Sequence, residues 1–363
     1  MEQPTKNDCT SISGDVSSWI DFLRGLAALG VIWGHTIYGS FPETPIVENL
    51  RLNGAFWVWI FLVLSGYLIG DSLIEGRYRN SKLIFLRNRG LRIIPLTYAA
   101  LILGLLIQIM TSGSLNFEIF RQFLFLPADF NMTLVGPLWT IAVEIQFYLF
   151  CAVALELFKN FCFEKYLKAS VFFCIIACLF FAGDIMVAID DNHHQPRSLL
   201  GNSFFFFLGL AVSMNGTIKT KHSTAIKMSV LGLGVFFACY LENHRTLEFW
   251  SFKDSLILGD AGLSGIYPPF GAGAFIAMSI SVTAILMQPP STSAVWLQFT
   301  KPIRSIGKLC FGVYVFHSIL LVSTYNMFGI ERGWVIFGIT LLSLPLAAIS
   351  YKYFEAPLLK FKM

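Results

Sequence analysis

The feature that most constrains this chain is its series of apolar runs that are long enough to cross a lipid bilayer. A spanning helix needs about 20 mostly apolar residues. Charged residues make up only 13% of the 363-residue sequence, against about 25% in a soluble domain. We therefore predict an all-α, polytopic membrane bundle of about ten helices, which excludes an ordinary soluble enzyme. The predicted spans are 18–39, 54–74, 93–111, 137–158, 169–189, 200–214, 228–241, 270–288, 309–329 and 334–351.

The basic residues predict the orientation of the bundle. Most of the 26 lysines and arginines fall in alternate loops, and such loops stay in the cytoplasm. Both termini are therefore expected in the cytoplasm, which requires an even number of spans. This organisation predicts a cytoplasmic N-terminal tail at 1–17, a single transmembrane domain at 18–351 and a cytoplasmic C-terminal tail at 352–363.

The first span carries three ionisable residues, Asp21, Arg24 and His35. Ionisable groups inside a span are costly and therefore suggest function. Eleven residues, about three turns, place Arg24 and His35 on one helix face roughly 16 Å apart, and Asp21 is close enough to pair with Arg24. A cation near the cytoplasmic surface below a deeper imidazole fits a long anionic donor. The alternative is an interfacial ion pair and a packed histidine.

The fourth span carries a polar stripe. Thr140, Glu144 and Tyr148 are spaced by four residues and follow Trp139, so their side chains share one helix face. Counting from the outer end puts Glu144 about 10 Å deep, the depth expected for His35. We therefore expect the carboxylate beside the imidazole, an arrangement that orients a general base.

Three further motifs are candidates for supporting roles. Arg89 and Arg92 lie one turn apart before the third span, a spacing that suits phosphate binding but is also typical of charges that set topology. His317 follows Tyr314 by one turn in the ninth span, where it lines a substrate site or simply packs. Ser65 precedes a glycine in the second span, as is typical of close helix packing.

Taken in order, these motifs resemble the acyltransferase type 3 family of membrane O-acyltransferases, which includes bacterial O-antigen acetylases. The resemblance covers nearly the whole chain. Two positions depart from the family pattern, because Ala142 replaces a serine and Ile145 a second glutamate. The matching segments are Arg24-x10-His35, Phe61-Leu-Val-Leu-Ser65-Gly66-Tyr67, Arg89-Gly-Leu-Arg92, Trp139-Thr140-Ile-Ala-Val-Glu144-Ile-Gln146-Phe147-Tyr148, Tyr314-Val-Phe-His317 and Glu355-Ala-Pro357.

The resemblance implies transfer of an acyl group, usually acetyl, from cytoplasmic acetyl-CoA to a hydroxyl of a cell-envelope glycan at the bacterial inner membrane. Acyl-CoA would be a co-substrate, with no permanently bound cofactor. The acceptor is open among O-antigen, capsule, exopolysaccharide and a lipid-linked sugar. We expect no metal site and no nucleic-acid partner. A glycan or lipid-linked sugar transporter or flippase is the alternative, although the sequence shows no inverted repeat of the kind many transporters have.

The resemblance also implies roles for the candidate residues. His35 would act as general base or carry the acyl group transiently, and the sequence leaves both mechanisms open. Glu144 would orient His35 or position the acceptor. Arg24, Arg89 and Arg92 would bind the acyl-CoA donor. The supporting residues would be Asp21, Ser65, Trp139, Thr140, Tyr148, Tyr314 and His317.

Overall fold

The structure is a computed structural model, and it describes residues 14–36, 54–74, 78, 81–112, 118–125, 135, 138–157, 205–210, 212–213, 292–328 and 333–362. Their regular structure is entirely helical, and no strand occurs among them. The prediction of an all-α chain is confirmed for these residues. The helices are α1 (Gly14–Thr36), α2 (Gly54–Ile74), α3 (Lys82–Ser112), α4 (Glu118–Phe123), α5 (Trp139–Leu157), α6 (Ala294–Phe299), α7 (Lys301–Lys308), α8 (Cys310–Phe328), α9 (Gly333–Leu341), α10 (Ser343–Ser350), a π-helical turn (Tyr351–Glu355) and α11 (Ala356–Leu359).

Three helical stretches are long and apolar enough to cross a membrane, namely Val16–Thr36, Lys82–Thr111 and Trp334–Leu359. A fourth crossing exists if α7 and α8 form one broken span, since they meet at an angle of 77°. Shorter apolar stretches lie in α2 and α5. The described helices are those of a membrane protein.

The count of ten spans and the cytoplasmic position of both termini stay predictions. The predicted spans at 169–189, 228–241 and 270–288 lie outside the described residues. Of the span predicted at 200–214, residues 205–210 and 212–213 are described, and they are helical. We refer to these eight residues as the 205–213 segment.

Two helices extend beyond the apolar runs that predicted them. The third span was expected to begin at 93, whereas α3 begins at Lys82. Hydropathy marks the part of a helix that lies in lipid, and lysine, leucine and arginine are themselves good helix formers. The side chain of Ser81 accepts the backbone N–H of Ile84, which favours a helix start at this point. Near the other terminus the helical stretch continues past 351 to Leu359.

The core forms where α1, α2, α3, α5 and α8 meet. Helix α1 packs against α2, α7, α8 and α9, while α3 packs against α5 and α8. The 205–213 segment joins this core through aromatic stacking. Phe206 lies 4.1 Å from Phe147 of α5 between ring centroids, and Phe205 lies 5.0 Å from Trp59 of α2.

Two glycines allow α2 and the 205–213 segment to approach within backbone contact. A Cβ atom on Gly66 of α2 would collide with the carbonyl of Phe206, and one on Gly209 would collide with the carbonyl of Val63. Close approach at small residues is the usual way in which helices pack in a bilayer. The close packing predicted around Ser65 and Gly66 is therefore confirmed at Gly66.

The Gly66 contact predicts a stability difference between two alanine variants. Gly66→Ala forces a methyl group into the Phe206 carbonyl, so we expect it to destabilise the protein by about 1–3 kcal/mol. Gly338→Ala is the control, because a Cβ there meets nothing within 4 Å and alanine favours the helix. Unfolding of both variants in detergent micelles measures the difference. Equal stability of the two would contradict the tight contact.

Candidate active site

Helices α1, α2, α3, α5 and α8 enclose a cavity of about 70 Å³, which is room for several water molecules. One part of its wall is polar and the other is apolar. The polar residues are Arg24, Ser65, Arg89, Arg92, Thr140, Glu144, Tyr148 and Tyr314. The apolar part consists of Val58, Phe61, Leu62, Leu68, Ile93, Ile141, Cys310 and Phe311. Five sequence motifs that are far apart in the chain therefore meet around one space.

Glu144 lies at the centre of the hydrogen bonding in this cavity. Its Oε1 atom accepts the hydroxyl of Ser65 at 3.1 Å and also the hydroxyl of Tyr148, one turn later in α5. The guanidinium of Arg89 lies over the Tyr148 ring, 5.6 Å from its centroid, and 5.8 Å from that of Phe85. Arg89 thus contacts the ring of Tyr148, which is one of the two hydroxyl donors to the Glu144 carboxylate.

The cavity has an excess of positive charge. Among the residues that the structure describes, three arginines line it, whereas Glu144 is the one acidic residue in its lining. The Nε atom of Arg24 is buried and has no hydrogen-bond partner among the described residues. An unsatisfied buried donor costs about 1–3 kcal/mol, so this position favours a ligand or water that accepts a hydrogen bond. The site is therefore suited to an anion.

The positive potential extends beyond the cavity to the end of the described chain. Desolvation, followed by the like charges of Arg92 and Arg89, lowers the pKa of Lys362 below its ordinary value. Lys362 therefore lies within electrostatic reach of both arginines. A patch of three neighbouring cations raises the local concentration of anionic ligands.

A second polar centre lies next to the cavity. The Nδ1 atom of His35 and the Nε2 atom of His317 are 3.1 Å apart, and the two rings are almost parallel, with centroids 5.3 Å apart. Tyr314 joins this pair to the cavity. Its ring lies 5.2 Å from the His317 ring, and its hydroxyl accepts the hydroxyl of Thr140 at 2.8 Å.

The expected contact between His35 and Glu144 is not formed. Among the described residues, Glu144 is hydrogen-bonded to Ser65 and Tyr148, whereas His35 is bonded to His317. Thr140, one turn before Glu144, is the residue of α5 that connects to the histidine pair, through Tyr314. The carboxylate lies instead where cations and hydroxyl donors stabilise its charge.

Besides the two histidines, two predicted residues lie outside the cavity lining. Asp21 is within electrostatic reach of Lys308 on α7 and of Arg24, and its backbone packs against Gly307. Trp139 begins α5 and packs against the hydrophobic core. Both residues therefore support the helices that carry the site.

Two residues of the site were missed by sequence reasoning. Cys310 lines the cavity, although its sequence context is that of an ordinary packed cysteine. Phe85 holds the guanidinium of Arg89, and its position four residues earlier on α3 was a usable signal, since such pairs share a helix face. Among the described residues, no group of three His, Cys, Asp or Glu side chains could hold a metal ion.

The comparison with known families agrees with the assembly of these motifs. A family model described as an acyltransferase domain matches residues 17–352. The chain belongs to this acyltransferase 3 family. The match includes every residue that lines the cavity and both histidines of the pair. No solved structure matches the chain.

Curated relatives of this family member come from several bacteria. O-acetyltransferase OatA of Staphylococcus aureus is 25% identical over 373 residues, covering 94% of this chain and 57% of OatA. Nodulation protein 10 of Rhizobium leguminosarum bv. viciae is 22% identical, covering 94% of this chain and 93% of that protein. "Putative peptidoglycan O-acetyltransferase YrhL" of Bacillus subtilis is 23% identical, covering 93% of this chain and 54% of YrhL. The chain thus spans little more than half the length of OatA and YrhL.

The hydroxyl donors of Glu144 predict a difference between two tyrosine variants. Tyr148→Phe removes a hydrogen bond to a carboxylate, for which we expect a loss of about 1.5–3 kcal/mol in the free energy of unfolding. Tyr98→Phe is the control, because its hydroxyl donates to the neutral carbonyl of Phe123 at 2.9 Å, with an expected loss of about 1 kcal/mol. Chemical unfolding in micelles measures both. A smaller loss in Tyr148→Phe would contradict the central place of Glu144.

Proposed function

We propose that this chain is a multi-pass O-acyltransferase of the bacterial inner membrane. It transfers an acyl group, acetyl in the first instance, from cytoplasmic acyl-CoA to a hydroxyl of a cell-envelope glycan. The observation that carries this proposal is the cavity lined by Arg24, Arg89 and Arg92 and connected through Tyr314 to a pair of hydrogen-bonded imidazoles. An anion site and a proton acceptor are the two elements that this reaction needs.

The arginine side of the cavity supports an acyl-CoA donor. Coenzyme A carries several phosphates, and guanidinium groups bind phosphate oxygens through paired hydrogen bonds. Its thioester is held on a long uncharged arm, which fits the apolar wall of Phe61, Ile141 and Phe311. The O-acetyltransferase name of the OatA relative supports acetyl as the acyl group.

The histidine side supports the transfer step. The hydroxyl oxygen of the acceptor attacks the thioester carbonyl, its proton passes to His35, and the carbon–sulfur bond breaks to release the CoA thiolate. In the covalent variant, His35 first receives the acyl group from CoA and then gives it to the hydroxyl. Both variants use the same imidazole and are compatible with the observed geometry. Glu144 then acts in the donor cavity, where it balances the arginines, and not as the partner of His35.

The acceptor is proposed as a glycan of the cell envelope. The YrhL relative is named for peptidoglycan O-acetylation, while O-antigen, capsule, exopolysaccharide and lipid-linked sugars share the same sugar hydroxyl chemistry. The alternative from another class is a transporter of glycans or lipid-linked sugars. None of the three relatives reported above carries a transport name.

A deletion strain tests this function and the role of His35 together. Mass spectrometry of the envelope glycans should show the loss of one acetyl group per modified sugar, restored by the wild-type gene and not by His35→Ala, because the base that receives the hydroxyl proton is gone. Immunoblots of membranes establish that the variant protein is present in normal amounts. Unchanged acetylation together with altered glycan export would favour the transporter, and full activity of His35→Ala would remove His35 from the mechanism.

The donor cavity predicts a separate kinetic effect. Arg92→Gln removes a cation that lines the cavity, so we expect KM for acetyl-CoA to rise by about tenfold or more, since a charged hydrogen bond contributes about 1.5–3 kcal/mol. Arg87→Gln on the same helix is the matched control, because Arg87 is exposed and does not line the cavity. The rate of CoA release by membranes that contain the native glycan measures both. Equal KM values for the two variants would place the donor elsewhere.

A further inference from the structure

The bond between His35 and His317 joins side chains of α1 and α8 that are 282 positions apart in the chain. His317 is fully buried, whereas His35 keeps partial exposure. A neutral imidazole has one N–H donor and one lone pair. In the 3.1 Å contact between Nδ1 of His35 and Nε2 of His317, one nitrogen must therefore donate and the other accept. The bond consequently fixes the tautomer of both rings at once.

The surroundings of His317 indicate the direction of this bond. Its Nδ1 atom is buried and has no well-aligned hydrogen-bond partner among the described residues. The side chain of a helical residue is directed back over the preceding turn, so the His317 ring faces the carbonyls of Val313 and Tyr314, the backbone groups that act on it. A proton on Nδ1 faces these acceptors favourably, whereas a lone pair there would be repelled by them. The lone pair of His317 therefore lies on Nε2, directed at His35.

We propose that His317 is a positioning residue that holds His35 as the tautomer protonated on Nδ1. Nε2 of His35 is then the reacting atom, which takes up the proton of the acceptor hydroxyl or receives the acyl group. This inference rests on the proposed role of His35 in acyl transfer. Either mechanism needs a lone pair on Nε2, and the other tautomer would place a hydrogen there and block the first step.

The pair also stabilises the product of proton transfer. When Nε2 of His35 takes up a proton, the imidazolium still donates its Nδ1–H to the same lone pair on His317, and a hydrogen bond from a charged donor is about twice as strong as a neutral one. A neutral partner suits this position, because a buried carboxylate would itself need costly compensation in an apolar bundle. The His317 ring is held in turn by Tyr314, whose hydroxyl is bonded to Thr140.

Nitrogen NMR tests the tautomer without any reference to activity. The full chain, labelled with ¹⁵N-histidine and placed in lipid nanodiscs, contains only six histidines, and His35→Gln assigns the signal of His35. We expect wild-type His35 to carry its hydrogen on Nδ1. His317→Phe keeps an aromatic ring beside His35 but removes the acceptor, so it should give a mixture of tautomers. His317→Gln keeps an acceptor and should retain the wild-type form. A wild-type His35 protonated on Nε2 would overturn the proposal without any variant.

Kinetics supplies the second measurement, with acetyl-CoA as donor and membranes that contain the native glycan. His317→Phe should lower kcat by about 10- to 100-fold, because the His35 imidazolium loses a charge-assisted hydrogen bond and part of the protein adopts the unreactive tautomer, and it should leave KM for acetyl-CoA unchanged because the arginines are intact. His317→Gln should stay within about tenfold of wild type. Ser318→Ala is the control, since its buried hydroxyl donates to the carbonyl of Tyr314 in its own helix and, within the described part of the chain, to no residue of another helix.

The two measurements separate this inference from the proposed function. Wild-type kcat in His317→Phe, with the His35 tautomer unchanged, would overturn the positioning role even if His35→Ala is inactive. A tautomer change in His317→Phe, in a protein whose wild type transfers no acetyl group, would support the positioning of His35 and overturn acyl transfer instead. Equal loss of kcat in His317→Phe and His317→Gln, with an unchanged tautomer in both, would make His317 a packing residue.

Discussion

The site depends on one constraint, that every charge buried among apolar helices must be balanced or hydrogen-bonded. Glu144 meets it with two hydroxyl donors, from Ser65 and Tyr148, and with the arginines that line the same cavity. These partners lie on α1, α2, α3 and α5. Stabilising the one buried carboxylate therefore requires these four helices to turn the partner side chains toward one another. The arginines are incompletely balanced by Glu144, and this excess charge is what a phosphate-bearing donor can use.

Close backbone contacts allow such a polar centre to be assembled. Helix α2 approaches the 205–213 segment at Gly66 and Gly209, and α1 approaches α7 at Gly25 and Gly307. Small residues give up side-chain volume at these points, and the neighbouring positions, Ser65 on α2 and Arg24 on α1, are thereby directed into the cavity. On each of these two helices, the glycine that packs against a neighbouring helix and the polar residue that lines the cavity are therefore adjacent in the sequence.

Much of this arrangement could be predicted from the sequence, because costly residues in apolar runs are conspicuous. Arg24, Glu144 and Tyr314 were each identified by polarity inside a span, and all three line the cavity. What could not be predicted was the depth of one helix against another. Counting residues along α5 does not show where that helix begins relative to α1. Glu144 was therefore expected beside His35, whereas the side chain that bonds to His35 is on α8. The ends of two helices were missed for a related reason, because hydropathy marks where a helix leaves the lipid and not where its backbone hydrogen bonds stop.

The separation of the two polar centres has a chemical consequence. Arg24 and His35 are eleven residues apart on α1, which is roughly 16 Å along a helix. In the proposed reaction, the Arg24 cation that would bind donor phosphates is therefore distant from the imidazole that would accept a proton, so the two tasks would not oppose each other electrostatically. Tyr314 and Thr140 connect them without adding charge. A site that placed an arginine beside His35 would bind the donor equally well and would disfavour the imidazolium on which proton transfer depends. The neutral His317 ring that bonds to His35 likewise adds no positive charge beside it.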